Sequence, residues 1–215
     1  MSLPSDASSV SSASASPSEL QQQDLSTGLR NEISALPLLI ALTGRTDWER
    51  SEDKYSEMDY VSHSRRQDKL GLRGRLYGER KGCKATFQTK KDIAYYSSRK
   101  NPEPGKERTY NGYVMGWNKI NWLIQNKKKA IIFFGFADQT RYIVFDAELF
   151  RTFPRGKFQR KSRNKAGDEI DKLVPGIYIP FDRMVLCPFH NDGTPLTQRE
   201  IDLANGVGCL ITDDE

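Results

Sequence analysis

The sequence predicts an α/β domain with a mixed central β-sheet flanked by helices. Three observations predict it: apolar residues at helical spacing early in the chain, several short strand-like runs, and the apolar run AIIFFGF at 130–136. Such a run is typical of a central strand that is covered on both faces. Helical and strand-like segments alternate along the chain, and this alternation favours a sheet with helices packed against it.

The N-terminal part differs in composition from the rest of the chain. Residues 1–25 are rich in Ser, Ala and Gln and hold almost no large apolar side chains, so we expect a disordered tail. The remaining residues, 26–215, are long enough to bury a hydrophobic core of their own. We therefore predict one domain that follows a tail.

A helix should open the domain. Apolar residues recur at helical spacing from Leu29 to Ile40, and Gly44 is a typical helix stop. Pro37 lies inside this segment and should kink or split the helix.

Strand signals follow this helix. Residues 58–62 form a short candidate strand, and residues 72–79 alternate between an apolar or glycine face and a polar face. Residues 83–89 either continue the second strand or pair back on it. The polar face of 72–79 should bring four side chains together: Arg73, Arg75, Tyr77 and Glu79.

The second half predicts a helix, a strand pair, a further strand and a last helix. A helix capped by Asn111 should lead into two strands, 130–136 and 141–145, that are joined by a short turn. Residues 177–186 should form another strand or strand pair, and residues 197–204 a final helix.

The charge of the chain favours a polyanionic partner. Lys and Arg number 33 against 28 Asp and Glu, a net charge of +5. Residues 1–29 hold three acids and no Lys or Arg, which leaves 33 basic and 25 acidic residues, a net +8, from Arg30 onward. A basic domain attracts nucleic acid or an anionic membrane surface. A solvated basic surface without a partner is the alternative.

Cysteine usage and hydropathy bear on the compartment. Cys83, Cys187 and Cys209 are odd in number and widely spaced, which argues against a disulfide framework and favours a reducing compartment. No stretch reaches the ~20 apolar residues of a membrane-spanning helix. We expect a soluble intracellular protein of the cytoplasm or nucleus with no membrane partner, and a viral origin stays open.

Asp59 and the segment from Glu79 to Lys81 carry the candidate chemistry. Residues two apart in a strand point to the same side, so Glu79 and Lys81 should project together. A carboxylate from a neighbouring strand could join Glu79 and hold Mg²⁺ or Mn²⁺, since both ions prefer oxygen ligands. Asp59 is the preferred partner carboxylate, and Asp68 is the alternative.

The segments YSEMDYV (55–61) and LYGERKG (76–82) resemble the motif of the PD-(D/E)XK nucleases, which have the restriction-endonuclease-like fold. They follow a capped helix and precede a helix–strand unit, and the resemblance covers roughly residues 26–145. The chain departs from the family pattern in two places. No Pro precedes Asp59, and the charged Arg80 stands where a hydrophobic residue is common.

The resemblance implies a Mg²⁺-dependent endodeoxyribonuclease with a restriction-endonuclease-like fold. Asp59 and Glu79 would bind the metal ion, Lys81 would assist the attacking water, and Glu32 of the first helix would support the site. A homodimer is expected, because cutting both strands of a duplex takes two active sites. Alternatively, residues 79–82 could form the turn of a basic hairpin and leave these side chains in solvent.

A basic stretch with interleaved aromatic side chains, 153–165, is the second candidate site. Arg and Lys contact phosphates, and Phe158 could stack on a base. A solvated or disordered basic loop is the alternative. We expect DNA as the partner, with RNA as the alternative, and predict contacts from Arg73, Arg75, Lys84, Arg155, Lys157, Phe158, Arg160, Lys161 and Arg163.

Two functions therefore remain open from the sequence. The first is a metal-dependent endonuclease that hydrolyses phosphodiester bonds of DNA. The second is a non-catalytic accessory protein that binds nucleic acid through the same basic surface.

Overall fold

The fold is taken from a computed structural model. It describes residues 35–51, 58–92, 112–163 and 169–206, and the side chains of 159–163 and 169–171 are not part of that description. The elements are α1 (Leu36–Thr43), β1 (Trp48–Arg50), β2 (Tyr60–Ser62), β3 (Leu76–Gly82), β4 (Gly112–Gly116), α2 (Trp117–Gln125), β5 (Lys129–Gly135), β6 (Thr140–Val144), α3 (Ala147–Thr152), β7 (Arg155–Arg163), β8 (Glu169–Pro180), a 3₁₀ turn (Phe181–Arg183), β9 (Val185–Leu186) and α4 (Gln198–Ala204).

The larger sheet has six strands in the order β1-β2-β3-β5-β6-β9. Strands β1, β2 and β3 form antiparallel pairs, β5 lies parallel to β3, and β6 is antiparallel to β5. Parallel neighbours need a crossover connection, and here the chain returns to the sheet through β4 and α2. The prediction of a mixed sheet with flanking helices is confirmed.

Different elements cover the two faces of this sheet. Helix α1 packs on one face, and α2 together with a second sheet packs on the other. Each face of the sheet has its own hydrophobic core. Strand β5 contributes side chains to both cores, because side chains alternate along a strand. Ile131 and Phe133 face α1, whereas Ile132 and Phe134 face α2, and all four are fully buried.

The second sheet has three strands in the order β4-β8-β7. Strand β8 pairs with β4 only from Gly176 to Pro180, but with β7 from Glu169 to Ile177. Strands β7 and β8 therefore extend past β4 as a two-stranded hairpin. Gly176 is required at its base, since a Cβ there would lie 2.4 Å from a ring carbon of Phe158.

The first helix agrees with its prediction at its C-terminal end. Gly44 ends α1 in the left-handed conformation, with φ of 70°, and its N–H donates to the carbonyl of Ile40. Pro37 lies in the first turn of the described helix, where its missing N–H costs nothing. Residues 1–34, which include the predicted tail and Glu32, lie outside the described residues.

Two local predictions were wrong, and one alternative is excluded. Residues 112–116 form β4 instead of the start of a helix, because they pair with the end of β8. The segment 83–89 was expected to be extended, but the chain is helical from residue 87 to residue 92, and the hydroxyl of Thr86 accepts the N–H of Thr89 at the start of that turn. The alternative of a solvated or disordered loop at 153–165 does not hold for residues 155–163, since β8 pairs with them along their whole length.

Two further predictions are confirmed. Residues 130–136 and 141–145 correspond to β5 and β6, and residues 197–204 correspond to α4. Helix α4 begins with a capping box, in which Thr197 and Glu200 satisfy each other's backbone N–H groups. In the part of the chain that the structure describes, no helix has the length and apolar character to cross a bilayer.

Candidate active site

The β2–β3 pairing brings Asp59 and Glu79 to opposite positions on neighbouring strands. Tyr60 lies opposite Gly78, and Asp59 immediately precedes Tyr60, so one further step of the register places Asp59 opposite Glu79. Opposite residues of an antiparallel pair share one face of the sheet. Oδ2 of Asp59 accepts the backbone N–H of Arg80 at 3.2 Å, which fixes its carboxylate beside Glu79.

Glu79 and Lys81 project to the same side, as the strand period predicts. The side chain of Glu79 is fully buried, and the ammonium of Lys81 forms an ion pair with its Oε1. Both side chains lie on the α2 face of the sheet, where Glu79 follows the buried Tyr77. The geometric part of the prediction is confirmed, and the chemical roles of these residues stay predictions.

Lys119 is the member of the site that the sequence analysis missed. Its Nζ donates to Oε1 and Oε2 of Glu79 at 2.6 and 2.7 Å, and it lies 3.4 Å from Oδ1 of Asp59. Lys119 is the third residue of α2, and a cation in the first turn opposes the helix dipole. That local conflict is the signal that could have indicated a carboxylate partner outside the helix.

Burial and charge act against each other in this cluster. Burial raises the pKa of Glu79, the ammonium groups of Lys81 and Lys119 oppose that rise, and the carboxylate of Asp59 adds to it. Burial lowers the pKa of Lys119, but the carboxylates of Glu79 and Asp59 outweigh burial and leave that pKa raised. Lys119 therefore stays an ammonium. The protonation of Glu79 depends on how far the effect of burial exceeds that of the two neighbouring ammonium groups.

The donor set fits a hard divalent cation. Asp59 and Glu79 offer carboxylate oxygens, the ligands that Mg²⁺ prefers, and both already contact one cationic group, the ammonium of Lys119. Within the described ranges, no group of three or more His, Cys, Asp and Glu side chains could hold a metal ion. An ion here would take two protein ligands and complete its shell with water or phosphate oxygens, as Mg²⁺ commonly does.

Asp68 is engaged elsewhere and is not the partner carboxylate. Its side chain is fully buried, and its Oδ2 accepts a hydrogen bond from Nε of Arg45 at 3.1 Å. Its Oδ1 accepts the backbone N–H groups of Leu70 and Leu72. These contacts lie in the loop at the opposite end of the β2–β3 hairpin from Glu79. Of the two alternatives, Asp59 is the one that lies beside Glu79.

The alternative of a hairpin turn at 79–82 is wrong. Strand β3 continues to Gly82, with Lys81 opposite Phe134 and Gly82 opposite Gly135 of β5. The N–H of Cys83 extends this parallel ladder by donating to the carbonyl of Gly135 at 2.7 Å. A reversal at 79–82 would forfeit these hydrogen bonds, and a buried backbone group without a partner is costly.

Arg73 and Arg75 do not share a strand face with Glu79, which corrects that prediction. The strand begins only at Leu76, because the guanidinium of Arg45 binds the carbonyls of Leu72 and Gly74 and keeps them from pairing. Both arginines are exposed in the preceding loop, where Arg73 donates to Gln67 and Arg75 contacts His63.

The predicted basic site begins next to α2. The guanidinium of Arg155 lies 4.0 Å from the ring centre of Trp117, two residues before Lys119, and Lys157 is exposed. Phe158 is half-buried with its ring against Gly176, so its ring packs within the hairpin.

Lys84 is exposed after the end of β3. Arg160, Lys161 and Arg163 lie in β7, and their side chains fall outside the described ones.

The chain was also compared with known proteins. No protein-family model matches it, and neither a curated protein nor a solved structure is significantly similar to it.

Proposed function

We propose that this chain is a divalent-metal-dependent nuclease that hydrolyses phosphodiester bonds of DNA. The observation that carries the proposal is the convergence of two carboxylates from neighbouring strands, Asp59 and Glu79, with Lys81 in contact with the second. The motif that resembles the PD-(D/E)XK nucleases uses the same residues. Helix α1 before the motif and the α2–β5 unit after it support the proposed restriction-endonuclease-like fold.

Each residue has a role that its environment suits. Asp59 and Glu79 hold Mg²⁺ or Mn²⁺, which supplies polarisation of the phosphodiester and a lowered pKa of the attacking water. The ammonium of Lys81 lies beside Glu79 and can donate to that water or to a phosphate oxygen that gains charge in the transition state. The full burial of Glu79 strengthens these charge interactions, because the local dielectric is low.

The exposed basic side chains of the β7–β8 hairpin support a DNA substrate. Arg155 stacks on Trp117 in the first turn of α2, the helix that carries Lys119, and Lys157 is exposed two residues further along β7. Exposed cations of this kind bind backbone phosphates. A homodimer would supply the second active site for cutting both strands.

Plasmid cleavage tests the proposal. The full chain is incubated with supercoiled plasmid and Mg²⁺ or Mn²⁺, with and without EDTA, beside Glu79→Gln and Lys81→Met. Glu148→Gln is the matched control, since Glu148 is an exposed carboxylate on α3 whose ion pair is with Arg151 of the same helix. We expect metal-dependent cutting by the wild type and the control, and loss in both site variants. Absence of cutting by folded wild-type protein, or full activity of Glu79→Gln, would overturn the proposal.

A non-catalytic nucleic-acid-binding protein is the second candidate function. The exposed basic side chains of Arg155, Lys157 and Lys172 favour it, because they can bind phosphates without any metal ion. This function predicts salt-sensitive DNA binding that Glu79→Gln leaves unchanged, and no cutting under any metal condition.

A further inference from the structure

Lys119 contacts the same carboxylate oxygens that a metal ion would need. Its Nζ lies 2.6 and 2.7 Å from the two oxygens of Glu79 and 3.4 Å from Oδ1 of Asp59. A divalent cation bound by both carboxylates has to occupy the same gap, since Mg–O bonds are about 2.1 Å long. An ammonium and a metal ion that shared these oxygens would lie close together, and they would repel each other strongly in a buried site.

We infer that Lys119 competes with the metal ion for Asp59 and Glu79 and contacts the substrate phosphate once the ion is bound. This inference rests on the proposed metal site. In the metal-free protein the ammonium compensates the buried carboxylate of Glu79 and the partly exposed carboxylate of Asp59. When the ion binds them, Lys119 becomes a free cation beside a phosphodiester, which is the group that can accept its hydrogen bonds.

The side chain of Lys119 can move without unfolding its helix. It is 21% exposed, and a lysine ammonium sits on a flexible four-carbon stem. Its neighbours hold α2 in place: Ile120 and Leu123 are fully buried, and Trp117 packs under Arg155. The exchange therefore needs only a change of side-chain rotamers at the open edge of the cluster.

The exchange couples metal binding to substrate binding. Because the ammonium occupies the carboxylates in part of the protein, the apparent metal affinity equals the intrinsic affinity multiplied by the fraction of protein in which the carboxylates are free. A phosphate that takes up the ammonium removes this competition. Metal and DNA should therefore each raise the affinity of the other, because coupling between two ligands is reciprocal.

Titration of the full chain with Mn²⁺ alone, followed by calorimetry, tests the inference. Lys119→Met removes the charge, and Lys119→Gln removes it but keeps a hydrogen-bond donor should the first variant fold poorly. Lys127→Asn is the matched control at the other end of α2, and Asn tolerates the positive φ of that position. Glu79→Gln should abolish the binding isotherm.

We expect Lys119→Met to bind Mn²⁺ about tenfold more tightly than the wild type, yet to cut plasmid at least about tenfold more slowly at saturating metal. A purely structural lysine would instead leave metal affinity unchanged or lower it. Equal or weaker Mn²⁺ binding by a folded Lys119 variant overturns the inference while the metal site stands. If no variant binds Mn²⁺, the proposed function fails with it.

Discussion

Two buried charge clusters lie at opposite ends of the β2–β3 hairpin, and they differ in how their charges are held. At the loop end, Arg45 donates to Oδ2 of Asp68 and to the carbonyls of Leu72 and Gly74. The side chains of Arg45 and Asp68 are 3% and 0% exposed. A guanidinium presents five donors in a rigid fork, so one arginine can bind the carboxylate and both carbonyls of the loop at the same time.

The cluster at the other end holds its charges differently. Glu79 is as buried as Asp68, but its cations are the ammonium groups of Lys81 and Lys119, which are 32% and 21% exposed. An ammonium on a flexible stem can leave a carboxylate and return, whereas the forked contacts of Arg45 must break together. Equal burial of an acid can therefore mark either a structural tie or an exchangeable site, and the partner cation decides which.

The largest expected difference is in stability. Asp68→Ala should lower the free energy of unfolding by about 3–5 kcal/mol, because it leaves the buried charge of Arg45 without its carboxylate. Asp59→Ala should cost about 1 kcal/mol or less, since Asp59 is partly exposed and Lys119 keeps its contacts with Glu79. Urea unfolding of both variants measures the difference. Equal losses would remove the distinction between the two clusters.

A smaller effect should appear in the pH dependence. Burial raises the pKa of Glu79 above its ordinary 4.5, so folding favours the protonated form more than the unfolded chain does. The stability that it contributes is full below the unfolded-state pKa and is lost as the pH rises through the folded-state pKa. Glu79→Gln should therefore gain stability relative to the wild type over that range, by about 1.4 kcal/mol for each tenfold difference in proton affinity between the folded and unfolded states.

Thermal unfolding of wild type and Glu79→Gln between pH 4 and pH 8 measures this difference. Cleavage should change in the opposite sense and rise with pH, because metal binding needs the carboxylate form. Glu148→Gln, at an exposed position, should leave the pH profile of stability unchanged. A constant offset between wild type and Glu79→Gln at every pH would contradict the raised pKa.

The smallest expected effect is on DNA binding by the β7–β8 hairpin. Lys157→Ala should weaken DNA binding at low salt and lower the slope of log affinity against log salt by about 1, as expected for one lost phosphate contact. Lys127→Asn, on the far end of α2, should keep the wild-type slope. Fluorescence anisotropy with a labelled duplex over a salt series measures both, and identical slopes would place Lys157 away from the DNA.

The sequence alone determined the features that depend on neighbours within one element. The strand period put Glu79 and Lys81 on the same side, and the continuous apolar run identified β5 as a strand buried on both faces. Gly44 marked the end of α1. These predictions succeeded because backbone geometry repeats over a few residues, so the spacing of residue types already contains the answer.

The tertiary structure decided which distant residues meet. The β2–β3 register chose Asp59 over Asp68, and the packing of α2 on the sheet brought Lys119 to Glu79. The start of β3 at Leu76 likewise depends on Arg45, which takes the carbonyls before it. Such contacts depend on strand pairing and helix packing between segments far apart in the chain, and no local spacing of residue types encodes them.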